Sequence, residues 1–129
     1  MKDFDVRFNF LLTQIGRKYQ MFNEDGTYQG CFYPVQVLYP NKPRYKLPSD
    51  NPRKNFLYGL ARLKKHCIEI KREELKKGDI ICCEFNDEMH IAVYWEYDRI
   101  IHVFREHELF ISKIDMLKLN MSYWRVCGG

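Results

Sequence analysis

His90-Ile91-Ala92-Val93-Tyr94-Trp95, followed closely by Arg99-Ile100-Ile101-His102-Val103, is the stretch on which the fold turns. Each run is short, rich in β-branched and aromatic residues, and separated from the other by a turn near Tyr97-Asp98. Together they read as neighbouring strands of an antiparallel hairpin, with one histidine on each. The loop decides whether the two rings meet. An odd number of loop residues puts both on one face as diagonal neighbours, roughly 7 Å apart or less at Cβ. A two-residue loop puts them on opposite faces unless a bulge intervenes.

Working outward, strands are expected near residues 67–70, 79–85, 90–96, 99–103, 109–112 and 123–127, with a helical turn around 113–117. Ahead of them the rhythm is helical. Phe4, Phe8, Leu11, Leu12 and Ile15 repeat at helix spacing and stop at Gly16. A short helix fits residues 32–38, where Pro34 is tolerated in the first turn. Another fits about 53–65, capped by Asp50 or Asn51, with Phe56, Leu57, Leu60 and Leu63 as its inner stripe. The polar segment from Gly16 to Gly30 and the proline-rich one from Pro40 to Pro52 read as connections. This order predicts one α+β domain over residues 1–129, with N-terminal helices packed on a central antiparallel sheet.

Composition narrows the function. With 129 residues, 46% hydrophobic and 16% aromatic, the chain can bury a real core. Its apolar runs are far too short for a membrane span, and Met1 to Phe8 lacks the apolar stretch of a secretory signal. Synthesis and retention of reduced thiols in a cytoplasm are therefore expected. A net charge of +4 from dispersed Lys and Arg gives no nucleic-acid face. The five cysteines, at 31, 67, 82, 83 and 127, are odd in number and irregular in spacing, which argues against a disulfide framework. No CxxC pair is present, which argues against a structural zinc site, although a site assembled from distant Cys and His residues stays open.

Cys31 opens an apolar run reaching Tyr39, at the start of the short helix. A helix start lowers a thiol pKa and offers free N–H groups to an oxyanion. A histidine nearby holds the thiolate as an ion pair and returns the proton to a leaving amine. Its other nitrogen needs an orienting partner. Cys31, His90 and His102 thus form a candidate thiol-hydrolase set, with His102 orienting His90. Cys67, Cys82 and Cys83 sit in strand-like apolar runs and read as packing residues, while His66 and His107 read as surface residues.

Gly16-Arg17-Lys18-Tyr19, Cys31, Leu75-Lys76-Lys77-Gly78-Asp79, His90-Ile91-Ala92-Val93-Tyr94, Ile101-His102 and Tyr123-Trp124-Arg125-Val126 occur in that order. This series resembles the NlpC-type cysteine peptidases, papain-like enzymes that cut the peptides of bacterial cell walls. Their Gly-x-x-Tyr element, helix-start cysteine, Leu-x-x-Gly-Asp segment, His-Val-Gly-Ile-Tyr strand and later Ile-His pair find similar counterparts here. The resemblance implies a papain-like NlpC-type fold and cysteine-peptidase activity on peptidoglycan stem peptides without a cofactor. It implies that Cys31 is nucleophile, His90 base then acid, and His102 the third member. Tyr19, with Gly30 and Phe32 beside the nucleophile, would border the substrate. It also implies a phage tail setting, with tail proteins as partners. The usual Asp-Cys-Ser-Gly around the nucleophile is Gly30-Cys31-Phe32-Tyr33 here, and the preceding Trp- and Gly-rich loop is altered over residues 20–26. A structural or wall-binding module of the same fold, and a related thiol amidase or acyltransferase, are the alternatives.

Overall fold

A computed structural model describes residues 2–19, 30–42, 51–85, 88–104, 108–117 and 120–128. The central parts of both expected connections, residues 20–29 and 43–50, lie outside the described residues, as does His107.

Three helices precede the sheet, as the sequence predicts. Helix α1 spans Lys2–Thr13 and buries Phe8 and Leu11, with Phe4 and Leu12 packed alongside. Asp3 and Asp5 in its first turn complement the positive end of the helix dipole. A 3₁₀ turn, Gly30–Phe32, leads into the six-residue α2, Tyr33–Leu38. Helix α3 spans Pro52–His66, and Asn51 Oδ1 accepts from the Arg53 and Lys54 N–H groups at 2.9 and 3.2 Å. That side chain satisfies two donors that no helical carbonyl reaches, a contribution of about 1 kcal/mol. The inner stripe of α3 differs from expectation at one position. Phe56 and Leu63 are buried and Leu60 packs against the core, but Leu57 is more than half exposed. A step of one residue turns the helix by about 100°, which carries Leu57 off the line through 56, 60 and 63.

The six strands are β1 Cys67–Ile70, β2 Ile80–Phe85, β3 Glu88–Tyr94, β4 Arg99–Phe104, β5 Glu108–Lys113 and β6 Ser122–Val126. All recorded pairings are antiparallel, in the order β1-β6-β2-β3-β4-β5. Period-two alternation sorts the side chains onto two faces. Val93, Ile101, Val103 and Leu109 pack against α1 and α2, while Ile80, Cys82, Ile91 and Trp124 pack with Leu63 of α3. On the opposite face Ile81, Cys83, Ala92 and Ile100 are covered by Ile114 and Leu117, from the segment after β5. The expected turn there is a 3₁₀ turn, Ile114–Met116.

The Gly78-Asp79 pair joins the layers. Gly78 has φ +94°, a left-handed conformation that suits glycine, and a Cβ there would strike the Phe4 ring. Its carbonyl accepts from the Tyr39 hydroxyl at 2.7 Å. The buried Asp79 carboxylate receives Arg125 Nε at 3.0 Å and Nη2 at 2.7 Å, and the Lys76 N–H at 2.8 Å. This segment holds helices and sheet together rather than entering the chemistry.

The β3–β4 connection fixes the two histidines. The Glu96 carbonyl accepts from the Arg99 N–H, closing a turn whose central Tyr97 and Asp98 have φ of 51° and 59°. Positive φ at both central residues belongs to a two-residue type I′ connection. Alone it would pair Tyr94 with Ile101. The Trp95 N–H, however, donates to the Arg99 carbonyl, so Trp95 and Glu96 together face Arg99 as a bulge. Tyr94 pairs instead with Ile100, and Val93 with Ile101. The extra residue restores matching parity, and His90 and His102 project from one face.

Candidate active site

Between His90 Nε2 and His102 Nδ1 the distance is 2.8 Å, and the rings meet edge to face with centroids 5.0 Å apart. His102 is fully buried and His90 is 8% exposed. His102 Nε2 lies 2.8 Å from Ser112 Oγ, on β5. Phe110, the register partner of His102, packs its ring on the same imidazole at 4.6 Å. Burial pushes His90 down to about 4, and burial together with the neighbouring His90 pushes His102 down to about 3. Both imidazoles are therefore neutral at physiological pH, each able to donate through one nitrogen and accept through the other.

Cys31 lies in the 3₁₀ turn rather than at the first residue of α2, a correction to the expected helix start. This turn packs against both β3 and β4. Cys31 Sγ is 3.8 Å from the Met89 carbonyl oxygen, one residue before His90. Its electrostatic influence reaches Cys82 and Cys83, and Cys83 faces His90 across the β2–β3 ladder. The fold thus carries the thiol to the N-terminal end of the histidine strand. The sulfur is not openly exposed: Cys31 is 6% exposed and packs with Leu63, Ile80, Cys82 and Ile91.

Tyr19 stacks on Tyr33, the first residue of α2, with ring centroids 3.9 Å apart. Its hydroxyl contacts Gln14 Oε1 at 3.4 Å, and burial raises its pKa. Phe32 turns toward the α3 side, packing beside Leu63 and lining a cleft between α2 and α3 with Val35, Arg62 and His66. Gly30 begins the 3₁₀ turn. His66 departs from the surface assignment: it is half-buried, and its Nε2 is, among the described residues, a buried side-chain atom without a hydrogen-bond partner. Also among the described residues, no group of three His, Cys, Asp or Glu side chains is disposed to hold a metal. No described helix is long and apolar enough to cross a membrane.

Ser112 and Tyr33 escaped the sequence reading. Ser112 was visible only as a small polar residue in an apolar strand, and its meaning depends on the β4–β5 register. That register pairs Ile100 with Ser112 and His102 with Phe110, which puts the serine diagonal to the imidazole.

The fold is shared with solved structures. The P60 domain of an antigen from Mycobacterium avium subspecies paratuberculosis superposes with a TM-score of 0.63 at 12% identity, over 99% of this chain and 97% of that one. The chain has the NlpC/P60 fold. RipD from Mycobacterium tuberculosis, described as a non-catalytic NlpC/p60 domain protein adapted to peptidoglycan binding, gives 0.57 at 15% identity, with 98% of each chain covered. An NlpC/P60 family protein from Bacillus cereus gives 0.58 at 18% identity over 95% of this chain, which spans 39% of that longer one. A scan against protein-family profiles gives no match, and neither does a sequence search of curated proteins. The expected α+β NlpC-type architecture is therefore borne out at the level of fold.

Proposed function

We propose that this NlpC/P60-fold chain is a cysteine peptidase acting on amide bonds in peptidoglycan stem peptides. The observation that carries it is the 2.8 Å contact between His90 and His102 on the strand end that Cys31 Sγ reaches. Two buried imidazoles cost free energy, and a packed apolar pair would fill the same space more cheaply. Their retention on the hairpin whose first strand Cys31 Sγ reaches at its N-terminal end has a chemical use. With Nε2 turned to His102, His90 takes the Cys31 proton through Nδ1 as the sulfur attacks the carbonyl carbon. The Cys31 N–H helps to bind the oxyanion. His90 then returns the proton to the leaving amine, and water hydrolyses the resulting thioester. Burial that keeps His90 neutral equips it as a base at rest, so activation comes with substrate rather than from a standing ion pair.

Tyr19, stacked on Tyr33 two residues beyond the nucleophile, would border the peptide, with Gly30 and Phe32, the chain neighbours of Cys31. Delivery to the wall within a phage tail, where tail proteins are the partners, is the setting that the family resemblance implies, and it belongs to the same proposal. A second reading is favoured by one observation. A thiol only 6% exposed, next to a fold relative described as non-catalytic, suits a module that holds peptidoglycan without cutting it. Incubation with purified muropeptides followed by mass analysis separates the two. Hydrolysis by the wild type and none by a folded Cys31→Ala variant is expected. Equal activity in both would remove Cys31 from the mechanism, and retention of uncut muropeptides would establish the binding module.

A further inference from the structure

We propose that Ser112 is a positioning residue that sets the tautomer of His102 and so completes a relay running Cys31–His90–His102–Ser112. The inference deepens the proposed peptidase reading and rests on it for its kinetic consequence. His102 Nδ1 is 2.8 Å from His90 Nε2, and His102 Nε2 is 2.8 Å from Ser112 Oγ. His102 is fully buried, and both its ring nitrogens have a protein group at hydrogen-bonding distance. When His90 holds the proton taken from sulfur, both its nitrogens carry hydrogen, and its Nε2–H needs an acceptor. His102 Nδ1 accepts only if the hydrogen of the neutral ring sits on Nε2. Ser112 Oγ, a hydroxyl able to donate or accept, stands at 2.8 Å where it can take that Nε2–H and so favour the accepting form of the ring. With the opposite tautomer, the Nδ1–H of His102 would confront the Nε2–H of the protonated His90, and the charged intermediate would lose its support.

Strand β5 is built to deliver this contact. Ser112 and Phe110 lie two residues apart on one face, the phenyl ring packing on the imidazole while the hydroxyl meets its far nitrogen. The Ser112 hydroxyl meets His102, and it acts through that imidazole.

The test pairs tautomer with turnover in protein labelled with ¹⁵N-histidine. Long-range proton–nitrogen correlation spectra of wild type are expected to show His102 as the Nε2–H form, with Ser112→Thr alike and Ser112→Ala shifted toward Nδ1–H. On muropeptides, Ser112→Ala is expected to lower kcat roughly tenfold, the worth of one neutral hydrogen bond, with KM unchanged and activity restored by Ser112→Thr. An Nδ1–H form in wild type overturns the proposal, as does a Ser112→Ala variant with unaltered tautomer and kcat. The wild-type spectrum decides even if Ser112→Ala fails to fold. If wild type cleaves no muropeptide, the peptidase reading falls while the spectra still decide the role of Ser112.

Discussion

His90 and His102 stay neutral inside the fold down to low pH but take up a proton near pH 6.5 outside it, because burial penalises the imidazolium. The depressed folded values mean that the unfolded chain binds more protons below about pH 6.5. Stability is therefore full above that pH and is lost as pH falls toward 4 for His90 and toward 3 for His102. The loss reaches about 1.4 kcal/mol per pH unit for each ring. His66, lowered by burial and by Arg62, Lys65 and Lys42, adds in the same direction. Thermal unfolding between pH 7 and 4.5 should show a falling midpoint, and a His102→Gln variant should show a shallower fall. An equal slope in the variant would mean that His102 is protonated or hydrated in the native state. At this scale the sequence was partly transparent. Cys31, His90 and His102 could be singled out because residue type and spacing carry chemistry directly. The burial of Cys31 and the hydroxyl of Ser112 could not, since both depend on neighbours distant in the chain.

The hairpin linking β3 and β4 is the element on which the site depends. Tyr97-Asp98 reads as a turn from sequence alone, but whether the loop counts as two residues or three is a matter of one hydrogen bond. The Trp95 N–H donating to the Arg99 carbonyl supplies the bulge that a two-residue turn needs to keep both rings on one face. Deleting Glu96 should remove the bulge and move β4 by one residue against β3, exchanging its core and histidine faces. The expected result is a strong loss of thermal stability together with loss of the His90–His102 contact. Asp98→Gly, at φ 59°, should by contrast leave stability equal or raise it by roughly 1 kcal/mol. A stable Glu96 deletion with the imidazole contact intact would show that pairing to β5, not the bulge, sets the register. Strand positions elsewhere were legible because alternation over short apolar runs is a strong local signal. The 3₁₀ turn before α2 was not, since nothing local distinguishes it from a first helical turn.

Across the whole molecule, five thiols are sorted by environment. Burial pushes Cys67 up to about 11 and Cys82 and Cys83 up to about 12, which makes them packing groups in keeping with their apolar strands. Cys127 is exposed beyond β6. Cys31 alone sits where the helical layer meets the histidine strands, through the 3₁₀ turn that packs on β3 and β4. The Asp79–Arg125 pair and the Tyr39–Gly78 contact keep that junction closed by tying the start of β2 to β6 and to the residue after α2. Fold class and element order were legible because each layer carries its own hydrophobic period, whereas the meeting of the layers is long-range geometry. Covalent labelling tests the central claim, that this junction is a peptide-processing site. A stem-peptide vinyl sulfone added to a Cys127→Ser protein at neutral pH, followed by peptide mapping, should give one adduct on Cys31, absent in His90→Ala. Adducts on Cys67, Cys82 or Cys83, or equal labelling of Cys31 without His90, would contradict it.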